Sequence, residues 1–338
     1  MDQQHKDIVA IGGSAGSGEV LRTILKNLPS NLPASIFITT HVPAHSTGIL
    51  SATLSSRSAL PVSTAIDGQP VEPGHVYVAP PDGHLLVIGD TIRLGVGPRE
   101  NMARPAIDPM FRSVALSFGP RAVGLVLSGM LDDGASGLHA IKSCGGTTVV
   151  QHPLDAASDE MPLAALQATE VDHVARADDL ASTIVDIVGT VTTAEHHPSD
   201  ALRLEVEIAA GRRLGSSELQ KIADPSPMSC PHCQGVLSEV RDARPLRYRC
   251  QIGHAYTAES LASHMVGHVG EAIRVAMRVM EERVTLVERM ARDARATGRK
   301  AVAELYEARA AEYRGYAETL RNAAMTTLDT GGPARMRE

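Results

Sequence analysis

The sequence predicts a doubly wound, mostly parallel α/β sheet with helices on both faces, followed by a small metal-stapled module and a helical hairpin. Short strand-like runs alternate with helical patterns over residues 1–192. The runs at 8–11 and 122–127 are apolar at nearly every position, which is typical of parallel strands covered on both faces. The module and the hairpin are indicated by a late cluster of cysteines and by two long helical patterns after it.

The elements follow in order along the chain. Strands are predicted at 8–11, 34–40, 62–65, 75–79, 122–127 and 147–150, and helices at 19–25, 109–118 and 135–143. Residues 85–94 predict a β-hairpin around Gly89-Asp90. We therefore expect a first domain at 1–192, a linker with a short helical stretch at 193–228, a metal-binding module at 229–260, a helical hairpin at 261–325 and a disordered tail at 326–338.

Composition excludes some classes of protein. The 338 residues include 32 Lys and Arg against 39 Asp and Glu, a net charge of −7, and nucleic-acid binders need clustered positive charge. We expect a cytoplasmic protein without membrane insertion, because no apolar run reaches spanning length and residues 1–6 lack the apolar core of a signal peptide. Cys144 stands alone and is expected to be a small buried residue.

Residues 12–18, with the sequence GGSAGSG, form a glycine-rich turn between the first strand and the first helix. Such a turn brings a phosphate to a helix N-terminus in nucleotide-binding proteins. It also holds a nucleophilic serine on a sharp bend, and Gly12-x-Ser14-x-Gly16 fits that pattern. Because serine at a strand–helix turn is most often a helix cap, Ser14 needs partners to act as a nucleophile.

Candidate partners of Ser14 follow other predicted strands. His41 ends the second strand, and Asp132 and Asp133 follow the strand at 122–127. The carboxyl ends of parallel strands share one edge of the sheet, where α/β proteins bind ligands. A serine, a base and a carboxylate at one edge are the groups that acyl transfer requires. The chain order Ser-His-Asp disfavours the α/β-hydrolases, in which the order is Ser-Asp-His.

Residues 7–190 resemble the catalytic domain of the chemotaxis protein-glutamate methylesterases, the CheB family. The matching motifs, in order, are 11–16 (IGGSAG), 41–43 (HVP), 76–81 (VYVAPP) with His84, 104–108 (RPAID), 127–137 (LSGMLDDGASG), 151–153 (QHP) and 161–162 (MP). By the family pattern Ser14 would be the nucleophile, His41 the base and Asp133 the group that orients the histidine. Ser17 departs from the pattern, since the family usually has glycine there.

The resemblance implies hydrolysis of γ-glutamyl methyl esters on chemoreceptor helices, with deamidation of glutamine as a second activity and no cofactor for catalysis. The partner would be a methylated chemoreceptor or another signalling protein. The family's best-known members begin with a receiver domain, whereas only residues 1–7 precede the first strand here, so we expect a stand-alone catalytic domain. The backbone N–H groups of Ala15 and Met130 are candidates for stabilising the oxyanion, and Arg104 for binding an acidic side chain near the site.

The late cysteine cluster has the spacing C-x2-C-x16-C-x3-H, which fits a tetrahedral structural zinc site. Its members are Cys230, Cys233, Cys250 and His254. A segment this short needs a staple to stay folded. His232 and His264 are expected to be exposed, and either could substitute as a ligand. The segment also resembles an accessory module that follows some stand-alone methylesterase-like domains.

Two apolar stripes with helical spacing predict an antiparallel hairpin with a narrow coiled-coil seam. The stripes comprise 273, 277, 280, 284, 287 and 291, and, after a turn at 296–298, positions 302, 306, 310, 313, 317, 320 and 324. Two helices bury little surface, so the hairpin is expected to pack in cis or to bind the metal module, a second copy of the chain or a receptor bundle.

Two other functions are weighed against the esterase. A nucleotide-binding oxidoreductase would use the glycine-rich turn for a pyrophosphate, but the acidic ribose ligand expected after the second strand is replaced by Thr39-Thr40-His41. A non-catalytic signalling scaffold would use the metal module and the hairpin alone. The presence of Ser14, His41 and Asp133 together argues against that scaffold.

Overall fold

The structure is a computed structural model that describes residues 4–43, 45, 49–213 and 215–329. The chain divides into two compact units, residues 1–261 and 262–338. The last helix continues to Asp329, four residues beyond the predicted end of the hairpin. The remainder of the predicted tail, from 330 onward, lies outside the described residues.

The elements are numbered along the chain. The strands are β1 (Gln4–His5), β2 (Ile8–Gly13), β3 (Ser35–Thr40), β4 (Val62–Thr64), β5 (Val76–Val78), β6 (His84–Ile88), β7 (Thr91–Gly95), β8 (Ala122–Val126), β9 (Thr147–Gln151), β10 (His173–Ala175), β11 (Val191–Thr192), β12 (Ala223–Ser229), β13 (Val236–Val240), β14 (Arg247–Cys250) and β15 (Ala255–Thr257). The helices are α1 (Ser17–Asn27), α2 (Ile49–Ser55), α3 (Ile107–Phe118), α4 (Ala135–Ser143), α5 (Glu160–Ala168), α6 (Leu180–Ile187), α7 (Asp200–Ala210), α8 (Ser216–Leu219), α9 (Ala258–Ala296) and α10 (Lys300–Asp329). Short 3₁₀ helices lie at Gly119–Arg121 and Pro153–Asp155.

The main sheet has seven strands in the order β10-β9-β8-β2-β3-β5-β4. Every neighbouring pair is parallel. The chain builds outward from β2 through β3 on one side and, later, through β8 on the other. This confirms the predicted doubly wound α/β sheet. It also creates a switch point at the carboxyl end of β2, the place where open α/β sheets bind ligands.

The residues of β2 alternate between two hydrophobic cores, one on each face of the sheet. Ala10 belongs to the core built with α3 and α4, whereas Ile11 belongs to the core built with α1 and α6. Helix α1 contributes Leu21 and Ile24 to the second core, the face that its apolar spacing predicts. Because both faces are covered, the strands are uniformly apolar and the position of β2 is fixed from both sides.

Residues 193–228, predicted as a linker, carry structure that packs against the first domain. Helix α7 lies against the β6–β7 hairpin so closely that a Cβ at Gly95 would come within 2.2 Å of the Ala209 carbonyl oxygen. Strand β12 begins at Ala223 and opens a four-stranded antiparallel sheet, β12-β13-β14-β15. The segment limits at 192, 228 and 260 stay a prediction, because residues 1–261 form one compact unit.

A buried ion cluster joins α3, α7 and the small sheet within this unit. Arg247 on β14 binds Glu205 on α7 in a bidentate pair, with N–O distances of 2.7 and 2.9 Å. Arg249 bridges Glu205 (3.1 Å) and Glu100 (2.9 Å), and Glu100 also binds Arg112 on α3. The five side chains are 0–8% exposed. Charges removed from water in this way are tolerated only when they are paired. Loss of any one member of the cluster would therefore leave another charge buried without its partner.

The second unit is an antiparallel helical hairpin with a seam of alanines. The buried seam residues are Ala291 and Ala294 on α9 and Ala303, Ala310 and Ala317 on α10. Ion pairs between the helices join Arg295 to Glu307 and Arg321 to Glu281. Val302, predicted in the seam, is 37% exposed, because the seven-residue repeat of α10 runs through Ala303 instead. Within the described residues, no helix is long and apolar enough to cross a membrane.

We expect Glu205→Ala to lower the free energy of unfolding of the first unit by about 3–5 kcal/mol, because it leaves Arg247 and Arg249 buried without their shared partner. Chemical denaturation followed by circular dichroism measures the change. The matched control is Glu207→Ala on the same helix, whose carboxylate pairs with Arg212 at the surface and should cost about 1 kcal/mol or less. Equal losses of unfolding free energy in the two variants would contradict this role of the buried ion cluster.

Candidate active site and metal site

Ser14 lies in the sharp turn between β2 and α1. Strand β2 ends at Gly13 and α1 begins at Ser17, and the backbone N–H of Ser14 donates to the Ser128 carbonyl at 2.9 Å. Gly16 has a φ of +79°, in the left-handed region that glycine adopts most readily. The turn therefore holds the Ser14 side chain just beyond the carboxyl end of the central strand.

The Ser14 hydroxyl does not cap the helix. The N-cap residue of α1 is Gly16, and the cap makes no side-chain hydrogen bond. Ser17, at the position where the resemblance expects glycine, is buried, and its hydroxyl donates to the Ser14 carbonyl oxygen at 2.7 Å. Ser17 thus closes the turn from inside and leaves the Ser14 hydroxyl available to another partner.

That partner is His41, which directly follows β3. Its Nδ1 lies 3.1 Å from Ser14 Oγ, and its Nε2 lies 2.7 Å from Asp133 Oδ2. An ionised Asp133 accepts a hydrogen bond from the N–H group at Nε2, so the other ring nitrogen, Nδ1, is left as the acceptor for the Ser14 hydroxyl. The three residues form one hydrogen-bonded chain across the ends of β2, β3 and β8.

Asp133 lies in the turn between β8 and α4, and its buried carboxylate faces the first turn of α3, where backbone N–H groups point at it. Besides His41, its donors are the N–H groups of Ile107 (2.7 Å), Asp108 (3.2 Å) and Gly134 (3.0 Å) and the amide of Asn101 (3.0 Å). Burial acts to raise the pKa of Asp133, but the hydrogen bond and charge of His41, together with the other donors, hold it below its ordinary value. Of the two aspartates left open by the strand-end argument, Asp133 contacts His41, whereas Asp132 accepts from the Thr257 hydroxyl at 2.7 Å.

The electrostatics of His41 suit a base that holds a proton temporarily. Burial acts to lower its pKa, but the hydrogen bond and charge of Asp133, with the charge of Asp108, outweigh it, so that the pKa of His41 is raised above the ordinary histidine value. The imidazolium is therefore stabilised in place once His41 has accepted a proton.

Sequence reasoning missed two polar residues behind the carboxylate. Asp108 is fully buried, and burial followed by the charge of Asp133 raises its pKa to about 7. Asn101 donates from Nδ2 to both Asp133 and Asp108. In the sequence, the only indication that Asp108 belongs to the site is its place in the RPAID motif. No sequence pattern indicates Asn101, which lies outside the regular elements and has a φ of +47° in the structure.

The two predicted oxyanion donors flank the serine. Ala15 follows Ser14 directly, and a Cβ at Gly129 would come within 2.9 Å of Ser14 Cβ, which leaves Met130 next to the turn. Ala15 is exposed, and Met130 is 58% exposed. Within the part of the chain that the structure describes, neither backbone N–H has a hydrogen-bond partner. Both stay predictions as oxyanion donors, and both are free for that role.

Arg104 is engaged by other groups. Its guanidinium donates to Asp82 Oδ1 at 3.0 and 2.7 Å and to the Gly97 carbonyl at 3.0 Å. A substrate carboxylate would have to compete with Asp82, so the predicted substrate contact stays a prediction.

The four predicted metal ligands meet in the small sheet. The ligand atoms of Cys230, Cys233, Cys250 and His254 all lie within 4.8 Å of one another. His254 Nδ1 is 3.4 Å from Cys250 Sγ and 3.8 Å from Cys230 Sγ, and the sulfurs of Cys233 and Cys250 are 3.6 Å apart. Two sulfurs on a tetrahedral zinc are about 3.8 Å apart. The donor set and its spacing therefore fit a metal ion. Among the described residues, neither His232 nor His264 joins this group.

Comparison with known proteins identifies the family to which this fold and site belong. The family model described as CheB methylesterase matches residues 9–184. The chain belongs to the CheB methylesterase family. The matched region includes Ser14, His41 and Asp133, so the three hydrogen-bonded residues lie within the part of the chain that matches the family.

Individual relatives agree with this assignment. The protein-glutamate methylesterase/protein-glutamine glutaminase 2 of Methanosarcina mazei is 36% identical over 191 residues, which cover 54% of this chain and 52% of the relative. The protein-glutamate methylesterase/protein-glutamine glutaminase of Moorella thermoacetica is 38% identical over 187 residues, 54% of this chain and 44% of the relative. The chain thus spans about half the length of the curated relatives it matches. The crystal structure of the Thermotoga maritima CheB methylesterase catalytic domain matches with a TM-score of 0.52 at 32% identity, over 54% of this chain and 98% of that domain.

The reactivity of Ser14 should depend on pH through His41. Its labelling by a fluorophosphonate probe is expected to rise with pH through a midpoint above the ordinary pKa of histidine, because His41 must be neutral to accept the proton and its pKa is raised. Asp133→Asn removes the main raising influence while burial remains, so the midpoint should fall and the labelling rate should drop roughly 10⁴-fold. Asp186→Asn, at an exposed position on α6, is the control. A wild-type midpoint that is not higher than the midpoint of Asp133→Asn would contradict the assignment.

Proposed function

We propose that this protein is a serine hydrolase that removes methyl esters from glutamate side chains of chemoreceptors or related signalling proteins. The observation that carries the proposal is the hydrogen-bonded chain from Ser14 Oγ through the His41 ring to Asp133, at 3.1 and 2.7 Å. It lies at the switch point of a CheB-type sheet. The names of the relatives support a methylesterase as the chemistry of this site.

The first half of the reaction forms an acyl-enzyme. His41 Nδ1 accepts the proton of Ser14 Oγ as the oxygen forms a bond to the ester carbonyl carbon. The N–H groups of Ala15 and Met130 donate to the resulting oxyanion. The intermediate collapses, the bond to the methoxy oxygen breaks, and the proton on His41 leaves with methanol.

The second half releases the glutamate. A water molecule gives a proton to His41 and attacks the acyl carbon. The bond to Ser14 Oγ breaks, and the proton on His41 returns to that oxygen. Asp133 stays ionised throughout and stabilises the imidazolium in both halves. With a glutamine side chain the same steps release ammonia in place of methanol, which supports deamidation as the second activity named for the relatives.

The two other functions have less support. A pyrophosphate site would use the glycine-rich turn as an anion cradle, but the serine of that turn is hydrogen-bonded to a histidine. A purely structural scaffold has no use for an ionised carboxylate buried behind that histidine. Self-association through the hairpin stays a prediction, favoured by exposed apolar residues on α9 such as Val279 and Leu286.

We further propose that the cysteine–histidine cluster holds a structural Zn²⁺. Three thiolates and one imidazole complete a closed tetrahedral set, and such sets stabilise folds instead of binding substrates. Burial, followed by the charges of His232 and Arg249, lowers the pKa of His254 to about 4, so its ring is neutral and ready to coordinate. The hydrolytic steps above use no metal.

The proposal is tested on methylated receptor peptides. Wild-type protein should remove the methyl group, as followed by mass spectrometry, and Ser14→Ala should lower the rate by roughly 10⁴- to 10⁶-fold because the nucleophile is lost. Ser30→Ala, at an exposed position after α1, is the matched serine control. Hydrolysis by Ser14→Ala at the wild-type rate would overturn the assignment.

The zinc site predicts one metal ion per chain, measured by elemental analysis of the purified protein. Cys233→Ser removes a ligand and should lower both the zinc content and the melting temperature, since a metal bound only by the folded state stabilises that state. Cys144→Ser, which alters the cysteine outside the cluster, should retain the metal. If the zinc content of Cys233→Ser equals that of the wild type, the ligand set is wrong.

A further inference from the structure

The loop 99–103 lies between the triad and the small sheet and is tied to the last strand of that sheet. The backbone N–H of Asn101 donates to the Ala255 carbonyl at 2.9 Å. Its side-chain Oδ1 accepts from the N–H of Thr257 at 3.0 Å. Strand β15, which begins directly after the metal ligand His254, therefore fixes both the backbone and the amide plane of Asn101.

The other end of the same amide reaches the buried carboxylates. Nδ2 donates to Asp133 Oδ1 at 3.0 Å and to Asp108 Oδ2 at 3.1 Å. The amide thus has an acceptor end bound to β15 and a donor end bound to two carboxylates. This arrangement determines which end is nitrogen, because an oxygen facing both carboxylates would be repelled.

Two further contacts join the small sheet to the same place. The Thr257 hydroxyl donates to Asp132, the neighbour of Asp133, at 2.7 Å. Glu100, the neighbour of Asn101, is bound by Arg249 on β14 at 2.9 Å. Glu100 and Asp132, the chain neighbours of Asn101 and Asp133, are therefore both bound by the sheet that contains the proposed metal ligands.

We propose that Asn101 is a positioning residue for the triad, through which the metal-stapled sheet holds the Asp133 carboxylate toward His41. The inference rests on the proposed roles of Ser14, His41 and Asp133 and, for the part played by the metal, on the proposed zinc site. It gives the small sheet a part in the reaction without any contact with the substrate.

The physical effect of Asn101 is on both orientation and charge. Its N–H donor partly satisfies Asp133 Oδ1, so it fixes the carboxylate rotamer and lowers the basicity of Asp133. Without this donor, Asp133 would attract the His41 proton more strongly, and the pKa of His41 would rise. The charged groups around Asp133 and His41 are Asp108 and Asp132, with Arg112 and Arg247 behind Asp108.

The experiment is an NMR titration of the His41 ring in the full chain, with its signal assigned by its loss in His41→Gln. Asn101→Gly removes the amide but keeps a backbone that tolerates positive φ. The ring pKa should rise by roughly half a unit to one unit, and kcat/KM for the methyl ester should fall roughly ten- to hundredfold. Asp242→Gly, at φ +54° in an exposed turn of the small sheet, is the matched control and should change neither.

Asn101→Asp covers the case in which the glycine variant does not fold. It preserves the shape and the acceptor for Thr257 but places a third carboxylate against Asp133 and Asp108, so the ring pKa of His41 should rise further. An unchanged ring pKa in either folded variant would overturn the proposal. The titration does not depend on ester hydrolysis, so a failure of the proposed function would leave this readout intact.

A double-variant cycle tests whether the sheet acts through Asn101. Cys250→Ser removes a metal ligand and should raise the ring pKa of His41 in the wild-type background. In the Asn101→Gly background it should add nothing, because the connection is already broken. No shift with Cys250→Ser, or an equal shift in both backgrounds, would overturn the connection.

Discussion

The ionised carboxylate of Asp133, buried at the first turn of α3, is the constraint on which the site depends. A buried charge is stable only if its oxygens are fully hydrogen-bonded. The donors come from four places: His41 after β3, the start of α3, the turn after β8, and Asn101 in the loop before α3. The parallel sheet brings the strand ends together, and the N-terminal dipole of α3 adds to the stabilisation. The histidine is oriented because the carboxylate is fixed first.

Asp108 shows the cost of this arrangement. Two carboxyl groups share the Asn101 amide, and such neighbours have pKa values that are pushed apart. Here the pKa of Asp133, which contacts His41, is lowered, while that of Asp108 is raised to about 7. Arg112 and Arg247 moderate the repulsion from behind. The buried ion cluster therefore serves the site as well as the packing of α7 and the small sheet.

Local patterns in the sequence were sufficient to predict six of the seven strands of the main sheet and the glycine-rich turn, and to single out the cysteines and the histidine that meet in the small sheet. Apolar periodicity identifies strands, strand ends place Ser14 and His41 at one edge, and short cysteine spacings identify ligands. Asn101 and the ion cluster could not be found this way. Charged residues are normally exposed, so Arg249 reads as a surface residue. Its partner Glu100 is 149 positions away. In the hairpin the predicted seam positions Ala291, Ala310 and Ala317 are buried, and only Val302 gives way to its neighbour Ala303, because alanine and valine both satisfy an apolar pattern.

The hydrogen bond between Thr257 and Asp132 also has a consequence for biosynthesis, because it joins residues 125 positions apart. A ribosome adds about 5–20 residues per second. Asp133, the last of the three site residues to be made, therefore leaves the ribosome roughly 6–25 seconds before the strand that binds Asn101 and Asp132. During that interval the nascent chain carries every group of the serine–histidine–aspartate chain but not its support from β15. The contacts of β15 with the site can therefore form only after residue 257 has been made.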